Sequence, residues 1–160
     1  MVKSLNSARS WLKQKTVHMP FFQPQRRVPV LLQFSAVECG AACLAMILNY
    51  YGRTTKVAEC RLQCGVSRDG LTVQAIAHAA RQYGLRAKAY TVTNLDDLKY
   101  VTLPAIAHWN FDHFIILEHW STDLITIVDP AGGRRQISYD EFNTSFTGVL
   151  LTLEPGLYFQ

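Results

Sequence analysis

Residues 33–52 read Gln33-Phe-Ser-Ala-Val-Glu-Cys39-Gly-Ala-Ala-Cys43-Leu-Ala-Met-Ile-Leu-Asn-Tyr-Tyr-Gly52. The part from Cys39 to Tyr51 is dominated by Ala, Leu, Met and Ile, is apolar nearly all round, and stops before a glycine, which predicts a buried helix. A thiol in the first turn of a helix faces unpaired backbone N–H groups and the positive end of the helix dipole, and both favour the thiolate. Cys39 is therefore a candidate nucleophile, although a cysteine taken alone is more often a small buried residue that only packs.

The rest of the chain predicts helices first and strands second. Glycine stops and a capping Thr72 predict helices over about 57–64 and 72–83, with a short one at 95–99. Alternating, β-branched and aromatic runs predict strands over about 85–93, 104–109, 114–119, 124–128, 136–138 and 147–153. This order predicts an α+β fold, in which an N-terminal helical half packs on a C-terminal antiparallel sheet.

The composition predicts one domain with a basic N-terminal tail. The chain has 160 residues, 49% of them hydrophobic, and no apolar run approaches the length of a membrane helix. Six of its sixteen Lys and Arg residues precede the first acidic residue, Glu38, so the net charge of +4 comes from the N-terminus. We expect a tail over residues 1–27 and a domain over residues 28–155. The tail could touch anionic lipid, or it could be a solvated tail ahead of the domain. No aromatic-basic platform points to a nucleic-acid partner.

The last residues, Leu157-Tyr-Phe-Gln160, look like the remnant of a protease-cleavable purification tag. We therefore interpret residues 156–160 as a tag remnant and base no fold prediction on them. A tag at this position would also mean that the chain was cut from a longer protein.

A nucleophilic cysteine needs a base, and the strand half offers three histidines, His108, His113 and His119. Antiparallel pairing about the turn that follows the third predicted strand places His113 opposite or diagonal to Asp129. The carboxylate can then accept from one imidazole nitrogen and leave the other to face the thiol. A His–Asp pair that merely ties two strands together would show the same pattern.

Gln33 is the candidate oxyanion donor, because an amide just upstream of the nucleophile can act together with the backbone N–H of Cys39. A solvated loop glutamine is the alternative. Cys43 lies one helical turn after Cys39 and is expected to pack, while Cys60 and Cys64 share its Cys-x3-Cys spacing. That spacing lacks the Cys-x2-Cys knuckle of zinc sites, so no metal site is predicted. No Gly-x4-Gly-Lys-Ser/Thr loop is present, so no ATP cofactor is expected in this chain.

Several sequence blocks carry a family resemblance. They are Gln33 with Glu38-Cys39-Gly40-Ala-Ala-Cys43-Leu-Ala-Met, Pro104-Ala-Ile-Ala-His-Trp109-Asn-Phe-Asp-His113-Phe, Val128-Asp129-Pro130 and Ser145-Phe-Thr-Gly148. The chain resembles the N-terminal peptidase domain of bacteriocin- and lanthipeptide-processing ABC transporters over about residues 28–155. These papain-like cysteine peptidases remove the leader of a precursor peptide after a double-glycine-type site during export. The sequence of these blocks is most similar to the branch of the family linked to lanthipeptide exporters.

The resemblance implies a role for each candidate residue. Cys39 is implied as the nucleophile and His113 as the base. Asp129 is implied to orient the imidazole, and Gln33 to donate to the oxyanion. Trp109, Asn110 and Phe111 flank the catalytic histidine and are expected to line the substrate cleft.

The resemblance also implies partners and a location. The substrate would be a leader with an amphipathic helix and a Gly-Gly or Gly-Ala site. The other partners would be the transmembrane and ATPase domains of a transporter, with ATP bound by the latter alone. The domain would lie on the cytoplasmic side of the bacterial inner membrane. Two alternatives stay open: a domain that docks the leader without cutting it, and a papain-like transferase.

Overall fold

A layer of three α-helices opens the domain. The computed structural model describes residues 26–160, so most of the predicted N-terminal tail lies outside the described residues. A 3-10 turn at Ala36–Glu38 leads into α1 (Cys39–Tyr50), which is followed by α2 (Val57–Cys64) and α3 (Val73–Gln82). The first ten residues of α1 are buried, as its apolar composition predicts. The Thr72 side chain accepts from the N–H of Ala75 and caps α3.

The second half of the chain forms one six-stranded antiparallel sheet. Its strands are β1 (Leu85–Thr91), β2 (Ala105–Trp109), β3 (His113–Trp120), β4 (Ile125–Asp129), β5 (Gly133–Ile137) and β6 (Phe146–Pro155). They lie in the order β1-β6-β2-β3-β4-β5, and every neighbouring pair is antiparallel. The predicted α+β fold is therefore confirmed.

The sheet has a core on each of its faces. Ile106, Phe114 and Ile116 pack against α1 on one face, and Ala107, Ile115 and Leu117 belong to a separate cluster on the other. A strand buried on both faces loses the apolar-polar alternation of a half-exposed strand, and this explains the continuous apolar runs of β2 and β3. Side-chain alternation along these strands decides which residues reach the helical half.

A fourth helix that the sequence did not predict covers the far face. It is α4 (Tyr139–Ser145). The short helix predicted at 95–99 is present as a 3-10 helix over Leu95–Tyr100 and lies beside the same core. Ser138 accepts from the N–H of Glu141, so the Ser-x-x-Glu pattern is a capping signal that was assigned to a strand instead. The predicted strand at 136–138 accordingly begins and ends earlier, as Gly133–Ile137.

Residues 156–160, the interpreted tag remnant, pack against the domain. The N–H of Gly156 donates to the carbonyl of Gly84 over 2.9 Å. The ring of Phe159 packs edge-on to Tyr51, with 6.3 Å between the ring centroids. A Cβ at Gly84 would lie 2.9 Å from the Phe159 backbone, so this glycine makes the close approach possible. Among residues 26–160, no helix is both long and apolar enough to cross a membrane.

Candidate active site

Cys39 is the first residue of α1 and is 4% exposed. The first turn of a helix presents backbone N–H groups that have no acceptor within the helix, so this position suits a group that develops negative charge. Cys39 borders a cleft of about 280 Å³, which we call the Cys39 cleft. Its other walls are the loop of residues 68–71 and the side chains of His108, Phe111 and Phe114.

His113 and Asp129 meet at the end of the β3–β4 hairpin. The register pairs Ile116 with Val128, which leaves His113 diagonal to Asp129. Nε2 of His113 lies 2.8 Å from Oδ1 of Asp129. This nitrogen is therefore occupied by the carboxylate, and Nδ1 is the nitrogen left for a hydrogen bond with Cys39.

The electrostatics of this pair favour an ionised imidazole. The hydrogen bond to Asp129, followed by the one to Cys39, raises the pKa of His113 to about 9 against the opposing effect of burial. Burial would raise the pKa of Asp129, but the hydrogen bonds from His113 and from the N–H of Ala131 hold it below its ordinary value. The pair is thus charged at neutral pH, and the imidazolium can donate a proton to a leaving group.

Gln33 lies beside His113 and Asp129 in a second cleft of about 420 Å³, which we call the His113 cleft. Its Nε2 donates to the carbonyl of Ser35 over 3.1 Å, and its Oε1 is buried with no partner among the described residues. An amide nitrogen carries two N–H bonds, so one remains for a ligand. The backbone N–H of Gln33 donates to the carbonyl of Pro130, which fixes the residue against the strand end that carries Asp129.

Glu38 is a positioning residue that the sequence reasoning did not identify. Its carboxylate accepts from the N–H groups of Phe34 and Ser35 and pairs with Arg61 of α2 over 2.9 Å. The residue is only 4% exposed, which is rare for a glutamate without such partners. It ties the loop that follows Gln33 to the start of α1. The Ser-x-x-Glu spacing of the loop was the available signal.

The other three cysteines are unsuited to nucleophilic attack. Burial, with a smaller effect of Cys39, raises the pKa of Cys43 well above its ordinary value, and this thiol donates to the carbonyl of Phe114. Burial also raises the pKa of Cys60 to about 12 and that of Cys64 to about 11. Within the described part of the chain, no cluster of His, Cys, Asp and Glu residues could hold a metal ion.

The two remaining strand histidines make different contacts. His108 of β2 hydrogen-bonds Thr147 and borders the Cys39 cleft. His119 pairs with Thr126 in the sheet register, away from Asp129. The structure therefore brings the Asp129 carboxylate to His113, the histidine that the hairpin register places beside it.

The three residues expected to line the substrate cleft, Trp109, Asn110 and Phe111, differ in how far their side chains are exposed. Trp109 borders the His113 cleft but is only 4% exposed, because alternation along β2 turns its ring toward Phe142 in the far-face core, 5.4 Å away. Trp109 therefore packs behind the wall of the cleft and offers a substrate little exposed surface. Asn110 borders the His113 cleft, and Phe111, which is 81% exposed, borders the Cys39 cleft. Both have positive φ angles, 49° and 63°, and such strained backbone collects at functional sites.

The two clefts form one groove past the candidate nucleophile. Ala36 and Asp112 border both of them. Cys39 lies on one side of this junction and His113 on the other. An extended peptide laid along the groove would therefore present a carbonyl carbon to the thiol and the adjoining nitrogen to the imidazole.

Comparisons with known proteins place the chain in a family. The chain matches the model of the Peptidase C39 family over residues 27–157. It is 40% identical over 136 residues to the colicin V secretion/processing ATP-binding protein of Escherichia coli, an alignment that covers 85% of this chain and 19% of that protein. It is 28% identical over 134 residues to the lacticin-481/lactococcin-DR transport/processing ATP-binding protein of Lactococcus lactis subsp. lactis, covering 81% of this chain and 19% of that protein.

A solved structure resembles the whole domain. It is the crystal structure of a double glycine motif protease from an AMS/PCAT transporter in complex with the leader peptide. The two chains share 43% sequence identity with a TM-score of 0.78, over 84% of this chain and 96% of the other. The chain spans about a fifth of the length of the two transporter relatives. The family match takes in both the helical half and the sheet, and it confirms the resemblance seen in the sequence: the chain belongs to the Peptidase C39 family.

Proposed function

We propose that this domain is a cysteine endopeptidase that removes the leader from a ribosomally made bacteriocin or lanthipeptide precursor after a double-glycine-type site. The observation that carries the proposal is the hydrogen bond from His113 to Asp129, with Cys39 at the other side of the imidazole. A structural neighbour with 43% identity that was solved with a leader peptide supports the substrate class.

The first step is attack by the Cys39 thiolate on the carbonyl carbon of the last leader residue. A carbon–sulfur bond forms, and the carbonyl oxygen takes the negative charge. The free N–H of the Gln33 amide and the backbone N–H of Cys39 are the proposed donors to this oxyanion. Removing one such donor costs about 10²–10³-fold in kcat in other enzymes, so Gln33 is expected to matter at the transition state.

The second step breaks the carbon–nitrogen bond. The His113 imidazolium gives its proton to the leaving amine, and the mature peptide departs with a free N-terminus. Water then attacks the thioester with His113 as base, which releases the leader as a carboxylate and restores the Cys39 thiol. Asp129 stays ionised throughout and holds the imidazole in place.

The walls of the Cys39 cleft are expected to favour small residues at the cut. The cleft lies between Val37 and the aromatic rings of Phe111 and Phe114. We propose Asn110 and Phe111 as substrate contacts, since both border the groove on an exposed turn. Exclusion by shape contributes only about 1–3 kcal/mol per methylene, so additional contacts with the leader are expected.

The relatives suggest where this domain works. Both named relatives are transport or secretion proteins described as ATP-binding. We propose that this domain acts as the peptidase part of such an exporter, on the cytoplasmic side of the bacterial inner membrane. ATP would be bound by the exporter's own ATPase domain, with no cofactor in this chain.

The test is cleavage of a precursor peptide that carries a double-glycine site, followed by mass spectrometry. The wild type should release a leader that ends in the second small residue. Cys39→Ala should give no product. The matched control is Cys64→Ala, since Cys64 is a half-buried thiol on α2, outside the site.

Three outcomes would contradict the proposal. Cleavage by Cys39→Ala would remove the nucleophile from the scheme. Binding of the leader by the wild type without any cleavage would leave a docking domain as the function. A ligated product in place of a hydrolysed one would indicate a transferase.

A further inference from the structure

His108 is held in one tautomer by Thr147. The hydroxyl of Thr147 donates to the backbone carbonyl of His108 over 3.3 Å. A hydroxyl has a single hydrogen, so both contacts are hydrogen bonds at once only when Nδ1 of His108 donates to Oγ1 of Thr147 over 2.9 Å. Nδ1 of a neutral His108 therefore carries the proton, and Nε2 is left as an acceptor.

A β-bulge builds this contact into the sheet. The pairing of β2 with β6 shifts register between Ala107 and Trp109, opposite the stretch of β6 that holds Thr147 and Gly148. Gly148 has a φ of 94°, a backbone conformation that would be strained in a residue with a side chain. Bulges are frequent beside active sites, where they re-aim side chains. Here the bulge brings the Thr147 hydroxyl to the ring of its neighbour strand.

The ring lies where two clefts meet. His108 borders the Cys39 cleft and also a third cleft of about 470 Å³, and Leu71 and Phe114 border both as well. Its ring is packed against Phe114, 5.1 Å between centroids. Burial lowers the pKa of His108, with Asp112 opposing the shift, so the imidazole is neutral and keeps its acceptor at neutral pH. The other charged groups of the Cys39 cleft are Arg68 and Asp69.

The mechanism decides which half of the substrate passes His108. His113 must protonate the leaving nitrogen, so the departing peptide lies in the His113 cleft. The acyl half, which is the leader, then lies in the Cys39 cleft and continues toward the third cleft. His108 stands at that passage, where an extended backbone exposes N–H groups that need acceptors.

We propose that Nε2 of His108 accepts a backbone N–H from one of the last three leader residues before the cut, which makes His108 a substrate-binding residue of the acyl side. The inference rests on the proposed leader-peptidase function. It assigns recognition of the peptide backbone, in contrast to the side-chain exclusion by the cleft walls. Thr147 is the positioning residue that keeps the acceptor turned to the cleft.

The first test separates the two ring nitrogens. His108→Gln keeps a polar atom near the position of Nε2, and His108→Asn keeps one near Nδ1 only. One hydrogen bond contributes about 1 kcal/mol, so His108→Asn should raise KM about five- to tenfold with kcat little changed, while His108→Gln stays within about threefold of the wild type. Thr147→Val should raise KM in the same direction, since either tautomer is then allowed. The rate at which iodoacetamide alkylates Cys39 should not change in these variants, which checks that the site is intact.

The second test removes the donor from the substrate. Leader substrates are made with an ester oxygen in place of the N–H at each of the three positions before the cut. One of them should raise the wild-type KM about five- to tenfold and leave the KM of His108→Asn unaffected. The inference would be overturned if each ester changed the KM of the wild type and of His108→Asn by the same factor. It would also be overturned if the KM of His108→Asn for the all-amide substrate equalled that of the wild type. If the wild type leaves the all-amide parent substrate uncut, the proposed function itself has failed.

Discussion

The His113–Asp129 pair combines two opposing effects of its surroundings. The two side chains are only 19% and 18% exposed, and such burial disfavours charge on either one alone. The 2.8 Å hydrogen bond between them reverses that effect, so both are ionised at neutral pH. Pro130 restricts the backbone of the preceding residue to extended conformations, so it keeps Asp129 extended at the mouth of the groove.

The pH dependence of cleavage follows from His113. Because its pKa lies at about 9, we expect kcat/KM to fall as the pH rises through that value and the imidazolium is lost. Asp129→Asn removes the charged acceptor whose hydrogen bond raises the pKa of His113. The alkaline limb of the pH profile of kcat/KM should therefore move to lower pH, and kcat should drop. Asp123→Asn, at an exposed turn, is the control. An unchanged alkaline limb in Asp129→Asn would contradict the assigned pairing.

The same pair links stability to pH. The pKa of His113 is raised on folding, so its contribution is fully present below its ordinary value near 6.5 and is lost as the pH rises through about 9. The pKa of Asp129 is lowered, so its contribution is present above about 3.8 and is lost as the pH falls further. The stability advantage of the wild type over Asp129→Asn should therefore be largest between about pH 4 and 6.5. Urea unfolding across that range measures it, and a difference that does not vary with pH would contradict the argument.

The loop from Gln33 to Glu38 depends on its contacts with other elements. The carboxylate of Glu38 holds two N–H groups of the loop and Arg61 of α2. Upstream, the N–H of Val28 donates to Glu118 of β3, which also pairs with Arg134 of β5. The segment from Val28 to Glu38 thus contacts the sheet at its upstream end and the helical half at Glu38. The position of Gln33, whose N–H donates to the carbonyl of Pro130, follows from these contacts.

Removing the Glu38 carboxylate should lower both stability and activity. Glu38→Ala leaves the N–H groups of Phe34 and Ser35 without their acceptor, and we expect a loss of about 1–3 kcal/mol in the free energy of unfolding. Arg61→Met should cost less, because the Arg61 side chain is 52% exposed and water can replace the glutamate. Chemical unfolding and kcat/KM are measured for both variants. A larger loss for Arg61→Met would show that the ion pair, and not the backbone contacts, holds the loop.

The whole molecule is organised around a sheet that is buried on both faces. Phe142 of α4 is fully buried and lies within 5.4 Å of Trp109, Trp120 and Phe146, measured between ring centroids. The far-face core therefore supports the strand ends from which His113 and Asp129 project. The proposed mechanism needs both halves, since the candidate nucleophile starts a helix and the candidate base lies on the sheet.

Truncation of Phe142 should show how much the far-face core contributes. Phe142→Ala should cost about 3–5 kcal/mol of unfolding free energy, because a large cavity replaces the ring. Phe111→Ala is the matched control, since Phe111 is 81% exposed and its loss should change stability by less than about 0.5 kcal/mol. A loss of unfolding free energy for Phe142→Ala close to that of the control would contradict a stabilising role of the far-face core.

Local signals in the chain were sufficient for the first three helices and for the choice of candidate residues. The apolar run after Cys39, the glycine stops and the capping Thr72 act within a few residues, so α1, α2 and α3 could be predicted with nearly correct bounds. The pairing of His113 with Asp129 could also be predicted, because a hairpin register depends on a short turn. The Ser138 cap of α4 was equally local, but strand-like residues around it masked the signal.

Contacts between distant parts of the chain required the folded structure. Alternation along β2 turns Trp109 into the far-face core and His108 toward the groove, and the bulge that aims His108 forms only when β6 pairs beside it. Glu38 is buried because Arg61 arrives from another helix, and Phe159 packs because Gly84 leaves room. The sequence identifies the groups that can carry the chemistry, since residue type and local spacing suffice for that. Their burial, orientation and partners depend on which surfaces meet, and long-range packing alone settles that.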